Sequence, residues 1–564
     1  MRKIFKNMAW TMAATLVMAA CSDSLDESDN TGQGPLTGEG YVKVAINMPS
    51  VSSTRAGDPT FADGDANEYA VKSGIIAFFE GTEEAKATFV KAYDLGNLIQ
   101  NDIATNGQVS TVVSQIIEAP FKKDATNTMY ALVILNSGPT GAKLATVDSS
   151  TGNLTLKNGT TDIQFTSGAA TTNLYTEWNL DVATADFPTN GFLMLNAPLY
   201  NTTNLSTQTL VPVTVHASKD AADVAKADEI YVERIVGKVN VVIKDNATSL
   251  TVTGGAYAND KVIFSETGNN NLGWVLNVTN KNTTPLRNVS ELSTWIGYTQ
   301  HQGNFIGTFK VTDDWVRIYW AKDNNYAETS TTIDTNDFTA FDSNGTMPQT
   351  WGGYTTAAAT NAQYCLENTE TSANYRKNNT TSVVIKAKYD INGDGASSDA
   401  SFFIMDKIAN TMDENAFLSA IKANVTNGNS LTLSIVADAK AGYYEGTELR
   451  TLISGLNDVS ETDLNALGEV RYYKDGECYY SIVPIKHFNE ITYTPGETPV
   501  DEKHLGRYGV VRNNWYELTI NSVSGPGEPT LEPGGNDPVD EDEGYIKCTI
   551  NVLSWAKRSQ GVEL

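Results

Sequence analysis

Glu39-Gly40-Tyr41-Val42-Lys43-Val44-Ala45-Ile46-Asn47-Met48-Pro49-Ser50 returns near the far end of the chain as Glu543-Gly544-Tyr545-Ile546-Lys547-Cys548-Thr549-Ile550-Asn551-Val552-Leu553-Ser554. Glu, Gly, Tyr, Lys, Ile, Asn and Ser recur in register, and the remaining apolar positions stay apolar. Each copy has one apolar face at period two: Val42, Val44, Ile46 and Met48 in the first, Ile546, Cys548, Ile550 and Val552 in the second. That alternation is the pattern of a strand with one buried face, and a slip of one residue would turn the face outward. Two strands with the same face and register can fill the same groove.

Just after the first copy lies Ser52-Ser53-Thr54-Arg55-Ala56-Gly57-Asp58, a lone arginine among small polar residues and a good site for a trypsin-like protease. A cut between Arg55 and Ala56 would release the first strand and leave an apolar trough with unpaired backbone edges. The tail of another copy could then add itself as a strand, with ladder hydrogen bonds giving affinity and alternate side chains giving specificity. Four or five buried apolar side chains contribute roughly 6–15 kcal/mol before ordering costs. Head-to-tail use of two different surfaces builds an open filament. The repeat also leaves two other arrangements open: both strands paired in one molecule as neighbouring edges of one sheet, or a chance likeness of short β segments.

Upstream, Arg2, Lys3 and Lys6 precede a short apolar run, Met8 to Ala20, too short to span a bilayer and read as a secretory signal. It closes on Met18-Ala19-Ala20-Cys21, with Met18 where leucine is usual. Small residues before a cysteine are what a lipoprotein signal peptidase requires, so Cys21 is the expected lipidation site. The polar, acidic Ser22 to Asn30 suits a tether. The chain of 564 residues carries a formal charge of −27, which argues against nucleic acid or anionic lipid as a partner. Any membrane association is expected only through the lipid of the precursor. Cys365, Cys478 and Cys548 are too few and too sparse for a disulfide framework, and read as small buried hydrophobes.

Between the repeats the chain reads as mostly β. Apolar runs bounded by Asn, Asp, Gly and Thr include Gly74 to Phe79, Tyr130 to Leu135, Phe192 to Leu195, Leu210 to Val215, Ile230 to Ile243, Val383 to Tyr389, Leu431 to Val436 and Tyr479 to Ile485. Helix is a minority. Asp413 to Asn424 has Thr411 and Glu414 at capping-box spacing, and Glu461 to Leu467 follows Ser460 with Asp463. Many strands with long polar connections predict β-sandwich domains. Polar Asp245 to Thr248 marks the end of a first domain, Trp515 to Ile520 closes a second, and Gly525 to Gly544, rich in Pro, Gly, Asp and Glu, reads as a linker.

No catalytic constellation stands out. His216, His301, His487 and His504 are scattered, without zinc spacing, and no phosphate-cradling glycine loop opens a helix. The reading is of a protein that is not an enzyme and needs neither cofactor nor metal. Asp390-Ile391-Asn392-Gly393-Asp394-Gly395 has the first half of a calcium loop, with Asp390, Asn392 and Asp394 as candidate ligands. Its twelfth position is Ser401 in place of glutamate, and Asn-Gly with Asp-Gly makes a turn between strands. The turn is the preferred reading.

The leader, Thr54-Arg55-Ala56-Gly57-Asp58 and the Val232-Glu233-Arg234 strand resemble the fimbrillins of Bacteroides-type bacteria. Tyr508-Gly509-Val510-Val511-Arg512-Asn513-Asn514-Trp515-Tyr516, with the ending Leu553-Ser554-Trp555 through Leu564, resembles the major subunit of the minor, or short, fimbriae, a type V pilin. The resemblance covers both ends, the domain junction and the overall length, and holds only by pattern over about 250–500. It implies an all-β chain with minor helix, built as two transthyretin-like β-sandwich domains with exchangeable terminal strands. It also implies a lipidated precursor cut by an arginine-specific protease.

The expected layout is a signal peptide at 1–20, a lipidated propeptide with a removable strand at 21–55, sandwich domains at 56–245 and 246–524, an acidic linker at 525–544 and a donor strand at 545–564. Tyr545, Ile546, Cys548, Ile550, Val552, Leu553 and Trp555 would join the next subunit. Expected partners are further copies of the chain, fimbrial anchor and tip subunits, and host or bacterial surface ligands. The chain would start as an outer-membrane lipoprotein and end in an extracellular fimbria that supports adhesion and biofilm formation. The alternative reading is a fimbrial tip or accessory adhesin, or a surface glycan-binding lipoprotein.

Overall fold

The computed structural model describes residues 40–47, 68, 70–96, 111–119, 127–138, 143–159, 161–176, 178–181, 191–266, 272–297, 305–310, 314–323, 337–341, 350–356, 361–371, 374–395, 400–482, 485–488, 504–531, 538–539 and 546–554. The chain is all-β with short helices between strands.

The first large sheet is built from Gly40–Asn47 (β1), Gly74–Gly81 (β2), Thr88–Asp94 (β3), Thr111–Ala119 (β4), Thr128–Leu135 (β5), Met194–Asn196 (β6), Val211–Val213 (β7), Val215–His216 (β8) and Asp228–Arg234 (β9). Its order is β8-β1-β9-β6-β5-β2-β3, with β7 on β5 and β4 on β1. Strands β2 and β5 read as continuous apolar runs because both of their faces are covered. Phe78, Phe79, Phe89, Leu132 and Val133 form the middle of this core, and the rings of Phe79, Phe89 and Phe165 pack together at centroid distances of 5.6–6.0 Å.

A second sheet runs Gln363–Leu366 (β11), Val236–Ile243 (β10), Asn514–Val523 (β12), Ile546–Ser554 (β13), in that spatial order. It packs on the sheet around Ser382–Asp390, enclosing Val241, Trp274, Tyr389, Phe402 and Tyr516. The apolar run Ile230 to Ile243 therefore divides. The chain leaves the first sheet at Arg234 and enters the second at Val236, so the sheets change at Ile235, ahead of the polar segment at Asp245.

Three local expectations are corrected. The helix Glu414–Asn424 is capped by Asp413, whose carboxylate accepts from the Ala416 N–H, while the Thr411 hydroxyl donates to Asp260. Asp is among the strongest N-cap residues, and Thr411 is held two residues upstream in a strand pair. Leu431 to Val436 yields only the short strand Ser434–Ile435, because its apolar residues pack on the helical core around Phe417 and Leu464. The stretch 525–544, expected as a linker, is docked where it is described. The Gly525 and Gly527 carbonyls accept from the Tyr480 and Tyr473 hydroxyls at 2.9 and 2.7 Å, Glu528 bridges to Tyr479, and Val539 is buried against Tyr375 and Tyr508. A Pro/Gly segment without a ladder of its own offers carbonyls, and buried tyrosines need acceptors.

Candidate strand-exchange site

Strand β1 lies inside its sheet. Val42 and Val44 are fully buried and Ile46 is 2% exposed, whereas Tyr41, Lys43 and Ala45 on the other face are half-buried. On one side β1 runs antiparallel to β4 over its whole length, with a shift between Ala45 and Ile46. On the other side it changes partner. Tyr41 and Val42 pair antiparallel with His216 and Val215 of β8, and Val44 to Asn47 pair parallel with Asp228 to Tyr231 of β9. Among the described strands, β4 is held in the sheet by β1 alone.

Strand β13, the second copy of the repeat, sits elsewhere. It pairs antiparallel with β12, from Asn514↔Ser554 to Val523↔Ile546, at the edge of its sheet. The two copies therefore lie in different sheets, and the arrangement as neighbouring edges of one sheet is not found. The backbones of Ile546, Cys548, Ile550, Val552 and Leu553 belong to β13. Cys21, Met48, Arg55, Ala56, Tyr545 and Trp555 lie outside the described residues.

Three features around β1 escaped the sequence reading. The Lys43 ammonium donates to the carbonyls of Asp223 and Ala225, at 2.8 and 3.1 Å, at the end of helix Lys219–Val224 (α1). The Glu68 carboxylate, fully buried, lies 2.7 Å from the Lys238 ammonium of β10 and accepts from the Tyr364 hydroxyl at 2.5 Å. Lys238 also sits 3.8 Å above the Trp515 ring. The available signals were faint: a lysine kept in both repeats, and a lysine inside the apolar run of β10.

The two internal motifs, Val232-Glu233-Arg234 and Tyr508 to Tyr516, meet between the sheets. Glu233 pairs with Arg287 at 3.1 Å and Arg317 at 3.4 Å, Arg287 reaches Glu367 at 3.4 Å, and Arg512 holds Glu367 at 2.7 Å. Arg234 donates to the Asn513 side chain at 3.1 Å. All the charged groups of Glu233, Arg287, Arg317, Glu367 and Arg512 are buried, so the motifs are a joint between cores.

At the calcium-like segment the Asp390 carboxylate accepts from the Gly395 N–H at 2.9 Å, and Asn392 and Gly393 take positive φ values of 64° and 63°. This is a turn. Among the described residues no group of three His, Cys, Asp or Glu is placed to hold a metal ion. Cys365 and Cys478 are buried free thiols, each pushed up to about 12 by burial. No described helix is long and apolar enough to cross a membrane.

Residues 471–561 match the family model described as major fimbrial subunit protein type IV, fimbrillin, C-terminal. Among curated proteins, no sequence matches this chain. Among solved structures, it is similar to a candidate cell adhesion protein from Parabacteroides distasonis ATCC 8503, at 9% identity over 92% of this chain and 98% of that one, with a TM-score of 0.37. The C-terminally truncated tip fimbrial protein Mfa3 from Porphyromonas gingivalis is 12% identical over 92% of this chain and 100% of its own, with a TM-score of 0.30. These likenesses are too remote to bear on function.

Proposed function

We propose that this chain is a fimbrillin, the stalk-forming major subunit of a short fimbria, exported as a lipoprotein through Cys21, cut between Arg55 and Ala56, and polymerised by donation of its C-terminal strand. The observation that carries the reading is the unequal seating of two strands that share one apolar face and register. Among the described residues, the first fills an interior seat paired on both sides, and the second holds an edge paired on one side. Once the first strand is cut away, its seat fits the face and register of the second, offered by another copy. The product is a homopolymer completed by anchor and tip subunits, with adhesion and biofilm formation as its outcome.

The test is assembly of intact, Arg55→Ala and 545–564-deleted chains after arginine-specific cleavage, followed on unboiled denaturing gels and by electron microscopy. Ladders and filaments are expected only from cleaved protein that keeps its tail. Assembly should also shield Cys548 from alkylation, since it would take the place of fully buried Val44. A cleaved, full-length chain that stays monomeric would leave a monomeric surface binder as the better reading.

A further inference from the structure

The apolar face of the repeat cannot by itself fix how a strand sits in the β1 seat. A slip of one residue is excluded, because it would put Lys43 or Lys547 into the core. A slip of two residues keeps the same side chains inward and displaces the strand by about 7 Å. Something else has to forbid it.

The chain between β8 and β9 supplies that element. Along β1 the partner changes between Val42, opposite Val215, and Val44, opposite Asp228. Lys43 stands at this gap. The intervening chain leaves the sheet as α1, with Ser218 accepting from the Ala221 N–H at its start. The last carbonyls of a helix have no acceptor role within it and carry partial negative charge. Lys43 reaches two carbonyls there, one in the last turn and one at the C-cap.

We propose that the end of α1 is a lysine socket that sets the register of whatever strand occupies this seat, and that in the assembled fimbria Lys547 of a second copy fills it. The proposal rests on the strand-exchange reading. Seating Lys547 on the Asp223 and Ala225 carbonyls puts Ile546, Cys548 and Ile550 at the positions of Val42, Val44 and Ile46. It also sets Cys548 opposite Asp228. A two-residue slip in either direction would carry the ammonium past the carbonyls and leave the helix end without its cation.

The test uses full-length processed chains carrying Asp228→Cys, whose new thiol should form an intersubunit disulfide with Cys548 under mild oxidation. With Lys547 or Lys547→Arg the crosslink is expected in high yield. With Lys547→Met its yield should fall severalfold, and subunits should leave preformed filaments roughly tenfold faster. If Lys547→Met filaments match the parent in both crosslinking and dissociation, the socket is refuted and strand exchange stands. If chains lacking 545–564 assemble as readily as complete ones, the exchange reading itself fails.

Discussion

Replacing Lys238 by methionine should destabilise the folded chain by about 3–5 kcal/mol, the usual effect of removing one partner of a buried ion pair. The two side chains are 1% and 0% exposed and their charges lie 2.7 Å apart. At an effective dielectric of about 20, that separation corresponds to a gross attraction of about 6 kcal/mol, most of it offset by desolvation. Methionine fills nearly the same space, so the loss is electrostatic. Glu68 would keep the neutral Tyr364 hydroxyl as a donor, and the cation over Trp515 would be gone.

Neutralising the carboxylate as well, in Lys238→Met with Glu68→Gln, should recover about 2–3 kcal/mol, since the amide still accepts from Tyr364. The comparison is the urea midpoint of the parent, both single variants and the double variant, at unchanged m-value. A Lys238→Met loss below about 1 kcal/mol, or a double variant no better than the single one, would refute the reasoning. The Arg234 guanidinium also holds the Glu68 backbone carbonyl at 3.0 Å. In Lys238→Met, limited proteolysis should therefore cut more readily around Glu68.

Two further predictions concern the core around the second sheet. Burial pushes the Glu370 carboxyl well above its ordinary 4.5, opposed only in part by the Thr380 hydroxyl. The folded chain thus keeps a proton that the unfolded chain has lost, and stability should fall as pH rises above about 4.5, by at most about 1.4 kcal/mol per pH unit; Glu370→Gln should be more stable than the parent by a margin that widens from pH 5 to 8 in urea midpoints, and a constant margin would contradict this. Gly509 has φ of 112°, and a Cβ there would be driven into the Asn368 carbonyl oxygen. Gly509→Ala should cost about 2–4 kcal/mol, seen as a lowered thermal midpoint, and an unchanged midpoint would show that the Asn368–Val510 bridge can shift.

How much of this could be read from the sequence depends on how locally each feature is made. Gly74 to Phe79, Tyr130 to Leu135 and Val383 to Tyr389 all lie within observed strands, since a long apolar run between turn residues has few other ways to hide. The buried face of β1 was legible from its alternation, as Val42, Val44 and Ile46 show. The change of sheet at Ile235 was not, because hydropathy stays high on both sides while the hydrogen-bonding partner changes. The Lys43 cap and the Glu68–Lys238 pair were equally hidden. Each joins residues far apart in the chain, and a charge that topology buries looks in sequence like any exposed one.

The two copies of the repeat differ in sequence just after Asn47 and its counterpart Asn551. Strand β1 is described to Asn47, and the next residues in the sequence are Met48-Pro49; in the second copy these are Val552-Leu553, and β13 runs on to Ser554. Proline has no N–H to give to a ladder and tends to end a strand. The parallel neighbour of β1 does not end there: its last pair with β1 is Asn47↔Tyr231, but β9 continues to Arg234. A donated strand seated in the register of β1 would bring Val552, Leu553 and Ser554 alongside Val232, Glu233 and Arg234, with a ladder-competent leucine where the displaced strand has proline. The donor would also leave an edge paired on one side for a seat paired on both. The proposed strand exchange would thus be an unequal trade that favours the intermolecular strand, and the proposed cut at Arg55 would serve to let the weaker occupant go.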